Sequence, residues 1–174
     1  MKIFPFSTII FLMAGCILGS CSKSADEVNK FEIIHSIRSK NNDSYKINAG
    51  IFKGNTSNLP IGIFDSGTGG LAVLETIIRS DQFNNDSHMP GSDGVPDFIN
   101  ESFIYLADEA NMPYGRYSGE GKSDFLKELV IKDVAFLLGN SYYKNQLSEE
   151  PENNKKSVKE IVIACNTATA FGLE

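Results

Sequence analysis

The run Ile61-Gly62-Ile63-Phe64, which stops at Asp65 and turns at once into Ser66-Gly67-Thr68-Gly69-Gly70, constrains the fold more than any other feature. An uninterrupted apolar run of this length suits a strand buried on both faces, and such strands belong to parallel sheets covered by helices. The glycine-rich stretch is a tight loop, and Leu71, Val73, Leu74, Ile77 and Ile78 follow it at helical spacing. The pattern then recurs. Ser102 to Ala107 is a second apolar run, ends at Asp108, and leads into a loop with Pro113-Tyr114-Gly115. Leu126, Leu129, Val130, Val134, Leu137 and Leu138 mark a second helical stripe, with Ser123 as its expected N-cap and Asp124 suited to the positive end of the helix dipole. Ile161-Val162-Ile163-Ala164 is a third run and ends at Cys165-Asn166-Thr167. The order is βαβαβ. Parallel strands need long crossovers, which the helices supply. The expected fold class is α/β, a three-layer αβα arrangement around a mainly parallel sheet. Ligands of such sheets bind at the carboxyl ends of the strands, where Asp65-Ser66, Asp108 with the Tyr114 loop, and Cys165-Asn166-Thr167 gather.

The chain has 174 residues, enough for one ordinary domain. With 41% hydrophobic and 22% charged residues it falls among globular rather than disordered sequences. A net charge of −6 with scattered Lys and Arg opposes a nucleic-acid partner. Of three cysteines, Cys16 and Cys21 fall near the N-terminus, which leaves Cys165 alone in the folded part and rules out a disulfide framework there. His35 and His88 lie in polar stretches, and no cluster has zinc-type spacing, so no metal site is expected.

Residues 1–21 read as an export leader. Lys2 gives a positive start, and Ile3 to Leu18 is nearly all apolar yet short of the roughly 20 residues a spanning helix needs. Leu18-Gly19-Ser20-Cys21 has the form of a lipobox, with Met13-Ala14-Gly15-Cys16 as an earlier candidate. Cys21 is preferred because polar sequence begins directly after it. The expectation is an exported lipoprotein of the cell envelope, held on a membrane through lipidated Cys21. Residues 22–59 are polar and are expected to act as a linker, with a candidate short helix at 25–39 carrying Val28, Phe31, Ile34 and Ile37 on one face. Residues 60–174 are the expected domain, with a polar insertion at 79–100.

Three blocks in the domain resemble glutamate racemases of the aspartate/glutamate racemase family. They are Ile61 to Leu71 (IGIFDSGTGGL), Ile104 to Asp108 (IYLAD) followed by Pro113-Tyr114-Gly115, and Val162 to Ala168 (VIACNTA). They occur in family order and cover roughly residues 60–174, the first of that family's two pseudo-symmetric α/β domains. The resemblance implies interconversion of L- and D-glutamate, or of aspartate, without pyridoxal phosphate or any other cofactor. In the family this supplies D-glutamate for the cell wall. It implies Cys165 as one of two thiols that exchange the substrate α-proton, Asp65 as its assistant, and Asp65 with Ser66 as a substrate-binding pair. It also implies Tyr114 and Gly115 as a backbone and side-chain cradle, and Asn166 and Thr167 as holders of the substrate carboxylate. The chemistry suits these residue types. Racemisation needs a base on one face of the α-carbon and an acid on the other, and a thiol titrates close enough to neutrality to serve as either. Backbone N–H groups at the helix starts after Gly70 and Cys165 are expected to favour a carboxylate.

The family's second cysteine motif, Gly-Cys-Thr-His, has no counterpart after Cys165, so an interrupted enzyme with an open apolar sheet edge is expected. A homodimer or association with a separate second half would complete it. The competing class is a non-catalytic, membrane-tethered binding protein for a small acidic ligand. Gly67-Thr68-Gly69-Gly70-Leu71-Ala72 also fits a loose dinucleotide fingerprint, but Asp108 stands too far along the chain for the acidic residue such a site needs. Cys165 has a bland alternative as a buried structural thiol, and Cys–His nucleophile chemistry is disfavoured by the polar surroundings of both histidines. Asp81, Asp86, Asp93 and Asp97 weakly resemble calcium ligands, against the simpler expectation of a solvated loop. Phe103 and Tyr105 are expected in the sheet core.

Overall fold

A computed structural model describes residues 3–4, 35, 47–145 and 147–171. The stretch expected as export leader, apart from residues 3–4, Cys21 and nearly all of the candidate helix at 25–39 lie outside the described residues. Three parallel strands form the sheet: β2 (Ile61–Asp65), β3 (Phe103–Ala107) and β4 (Glu160–Ile163), with β2 between the other two. A two-residue strand β1, Ile3–Phe4, within the stretch expected as leader, pairs antiparallel along the outer edge of β4. Ile63 stands opposite Tyr105 on one side and Val162 on the other, which sets one register across the sheet.

Alternation along β2 sends its side chains to two faces. Ile61 and Ile63, with Val162, pack against Ile77, Val73 and Leu74 of helix α1 (Gly70–Ile78). Phe64 and Ile161 point the other way, into a second cluster with Leu126, Leu129, Val130 and Leu137 of helix α3 (Ser123–Leu138). Helix on sheet on helix is the three-layer α/β architecture expected from the sequence. Gly62 lies on the α3 face, where a Cβ would stand only 3.2 Å from Val158 and 3.3 Å from Leu137, so glycine lets helix and strand approach closely.

Two details differ from the sequence expectation. Helix α3 is capped by Lys122, not Ser123, and no side chain caps it. The short helix α2 (Gly115–Gly119) precedes it and turns through Gly121 at φ 70°. The Lys122 N–H then donates to Tyr117 O at 2.7 Å, and Lys122 O receives the Leu126 N–H at 3.0 Å, so the chain is already helical one residue early. Inside the segment expected as linker, Ala49–Lys53 forms a 3-10 helix, and Ile47 and Phe52 pack against the α3 cluster. The domain surface therefore starts before Pro60. At its far end α3 is closed by Lys155, whose Nζ donates to Leu137 O at 3.2 Å and Gly139 O at 2.6 Å.

Candidate active site

Asp65 is the last residue of β2, and its carboxylate folds back under the loop that follows. Oδ1 accepts the Ser66 N–H at 2.8 Å, and Oδ2 accepts the Gly70 N–H at 2.7 Å. One buried carboxylate thus ties both ends of the glycine-rich loop, and its negative charge sits at the start of α1 where the helix dipole favours it. Tyr105 fixes the middle of the loop by donating from Oη to Gly67 O at 2.9 Å. Tyr105 packs at the sheet as expected, and this second task was not visible in its spacing. At the start of α1 the Gly70 N–H is occupied by Asp65, and the N–H groups after it, expected to favour a carboxylate, donate within the turn, Leu71 to Thr68 O at 3.2 Å and Ala72 to Gly69 O at 3.4 Å. The same occupancy removes a donor that a dinucleotide phosphate would need.

Cys165 follows β4 by two residues, next to Ala164, whose N–H donates to Phe64 O at 2.8 Å and so extends the ladder. Its thiol lies 3.4 Å from Ser66 Oγ, and the Ala168 N–H points at the sulfur from 3.4 Å. Ala168 belongs to the short helix α4 (Asn166–Phe171), which begins directly after Cys165. That N–H turns partial positive charge towards the sulfur. Cys165 is 6% exposed and is a free thiol. The strand tips therefore bring Asp65, Ser66 and Cys165 together. Both Asp65 oxygens are committed to backbone N–H groups, and it is Ser66 that reaches the sulfur.

Asn166 is exposed and Thr167 half-buried in the first turn of α4, beside Cys165 along the chain. The third tip is linked to the first by the Asp108 N–H, which donates to Asp65 O at 3.0 Å. Beyond it Gly115 is exposed with open space around its Cα. Tyr114 is different. Its side chain is 1% exposed and points into the core, with Oη 2.7 Å from Asp108 Oδ2 and 2.7 Å from Asp133 Oδ2. Tyr114 is thus committed to the core, its phenol to the two acids and its carbonyl to the Tyr117 N–H at 3.2 Å. Asp133 was not singled out from the sequence. Its signal was there: it stands four residues from both Leu129 and Leu137, so an acid interrupts the apolar stripe of α3.

In the insertion the acidic residues serve the backbone. Asp81 accepts from the N–H groups of Asp93 and Gly94, and Asp97 accepts from those of Gln82 and Phe83. The Asp81 carboxyl is held below its ordinary range chiefly by the Ser92 hydroxyl, and that of Asp97 chiefly by the Gln82 N–H. Among the described residues no group of three His, Cys, Asp or Glu is placed to hold a metal. His88 lies exposed in the insertion, and the polar contacts of the Cys165 sulfur are to Ser66 and Ala168, not to a histidine.

Known proteins add an independent line. Neither a family model nor a solved structure matches the chain. Curated sequences do. The chain is 37% identical over 116 residues to the glutamate racemase of Clostridium novyi, a match that covers 67% of this chain and 30% of that protein. It is 36% identical over 117 residues to the glutamate racemase of Deinococcus radiodurans, covering 67% and 28%. With the glutamate racemase of Staphylococcus carnosus the identity is 34% over 117 residues, covering 67% and 30%. The chain thus spans less than a third of the length of these curated relatives. By sequence the chain is similar to one stretch of these glutamate racemases.

Proposed function

We propose that the domain binds a small acidic amino acid, glutamate or aspartate, at the tips of β2 and β4, and that Cys165 exchanges the substrate α-proton. The observation that carries this is the meeting of the Cys165 thiol with the Ser66 hydroxyl at 3.4 Å, above a loop clamped by Asp65. The thiolate takes the hydrogen from the α-carbon, leaving the electron pair delocalised into the substrate carboxylate, and the resulting thiol returns a proton to the same face. Ser66 orients the sulfur. Asp65 acts by holding the loop that carries Ser66 rather than by touching the thiol. Exposed Asn166, half-buried Thr167 and the Gly115 backbone supply polar groups for the substrate carboxylates. No cofactor is needed, because a base of suitable reactivity is part of the chain.

Among the described residues Cys165 is the one free thiol, so these residues furnish an acid/base group for one face of the α-carbon. A second copy or a separate second half would furnish the other. The test is incubation of the chain with L- and D-glutamate, and separately with aspartate, in deuterium oxide. Deuterium is expected to enter one enantiomer with its configuration kept. Tight binding without exchange of either enantiomer would assign the domain to ligand capture instead.

The location proposed for this chemistry is a membrane surface in the cell envelope, reached through lipidation of Cys21. It rests on the apolar leader and the small residues Gly19 and Ser20 before that cysteine. Cells fed a labelled fatty acid should label the protein, and Cys21→Ala should abolish the label. Label retained in that variant and lost in Cys16→Ala would move the processing site to the earlier cysteine.

A further inference from the structure

The Tyr114 hydroxyl poses a problem of proton count. It lies 2.7 Å from Asp108 Oδ2 and 2.7 Å from Asp133 Oδ2, both in buried surroundings. A phenol has one proton to donate. Two hydrogen bonds of that length to two carboxyl oxygens need a second proton, carried by one of the acids. We propose that Asp108, Tyr114 and Asp133 form a buried proton-sharing unit in which Asp133 holds the extra proton, and that loss of this proton loosens the Tyr114 loop from α3.

The assignment to Asp133 follows from the donors each acid receives. Asp108 accepts two bonds from Asn111 Nδ2, at 2.9 and 3.0 Å, and one from Lys132 Nζ at 3.1 Å. Those donors favour its ionised form. Burial alone would raise it, but the bonds from Tyr114, Asn111 and Lys132 prevail and hold it below its ordinary range. Asp133 has Lys132 Nζ only at 3.4 Å, besides Tyr114, and is 2% exposed. Burial dominates there and pushes its carboxyl up to about 7. The titratable groups facing the unit are Lys132 of α3, the Tyr117 phenol stacked edge-on against Tyr114, and Tyr142 and Tyr143 around the shared cavity. Lys132 is raised, its burial outweighed by the two acids. Tyr142 is occupied by Glu152 at 2.7 Å. The cavity, of about 260 Å³, touches Asp108, Lys132 and Asp133 and gives water a route to the unit.

A carboxyl raised in the folded state adds stability that is complete below the unfolded value of 3.8 and lost as pH rises through about 7. Once Asp133 ionises, the single phenol proton cannot serve both acids. The Tyr114 attachment then weakens, and with it the loop that carries Gly115.

Infrared titration of the whole chain tests this directly. A protonated-carboxyl stretch is expected to persist well above the ordinary carboxylate range and to vanish with a midpoint near 7. Asp133→Asn should remove that band, while Asp108→Asn, which frees the phenol proton for Asp133, should keep the band but lower its midpoint. In the same pH range the wild-type unfolding constant should climb by up to about tenfold per unit, and Asp133→Asn should flatten that climb. The protection factor of the Tyr117 amide, with the intrinsic rise of exchange with pH divided out, should fall above the midpoint in the wild type alone. A wild-type carboxyl band that disappears at ordinary carboxylate pH, or a band abolished by Asp108→Asn instead, overturns the proposal. Should Asp133→Asn fail to fold, the wild-type band and its midpoint decide the matter unaided.

Discussion

Cys165→Ser is expected to slow deuterium entry at the substrate α-carbon by about 10²- to 10⁴-fold, the range a positioned acid/base group supplies. The substitution keeps the shape of the side chain and a hydrogen-bonding atom beside Ser66 Oγ and the Ala168 N–H. It removes the element whose anion is accessible near neutral pH, since a serine hydroxyl ionises far less readily than a thiol. Folding should be nearly unaffected, because the position stays small and buried. Circular dichroism and urea unfolding on the same preparation separate loss of chemistry from loss of structure. Exchange at wild-type rate in a folded Cys165→Ser chain would take the proton transfer away from this residue.

Gly70→Ala should cost about 2–3 kcal/mol of stability, the upper part of the overpacking range. A Cβ there would lie 2.9 Å from Asp65 Cβ, 3.0 Å from Ala164 Cβ and 3.0 Å from Tyr105 Oη. Two of these neighbours are β-carbons fixed to the ends of β2 and β4, and neither can swing aside. The strain would fall on the Gly70 N–H bond to Asp65 and on the approach of the two strand tips. Urea midpoints of the variant and the wild type measure the effect. Substrate binding should weaken with stability, because the same contacts place Ser66. A loss below about 0.5 kcal/mol would mean that the loop yields more easily than this packing implies.

The sheet was legible because β2, β3 and β4 are short apolar runs, each stopping at polar residues; full burial writes that pattern into central β2, and half-buried β3 at the edge keeps it. Helix α3 was legible from its stripe. Its start was misplaced by one residue because Lys122 is held by a backbone bond to Tyr117, a contact that depends on α2 having formed first in space. The meeting of Cys165 with Ser66 could be expected from their places at strand tips. That the Asp65 oxygens would be taken by Ser66 and Gly70 could not, since spacing does not say which way a carboxylate turns. The resemblance implies Tyr114 with Gly115 as a backbone and side-chain cradle, and the Tyr114 phenol turns into the core. The partners that draw it inward, Asp108 and Asp133, lie on different elements, and their nearness is a product of tertiary packing. The acid at position 133 was the one clue, a charge out of phase with its helix.

The insertion between α1 and β3 leaves and returns at nearly one point, since the Asp97 N–H reaches Ser80 O at 2.7 Å. Its polar residues knot it to itself through Asp81 and Asp97, with little recourse to the two apolar clusters. It is in effect an appendage on a hinge pin. Such a segment can be trimmed, lengthened or exchanged for a foreign peptide while the strand tips keep their places, which makes it the natural port for a probe or an affinity handle on this domain.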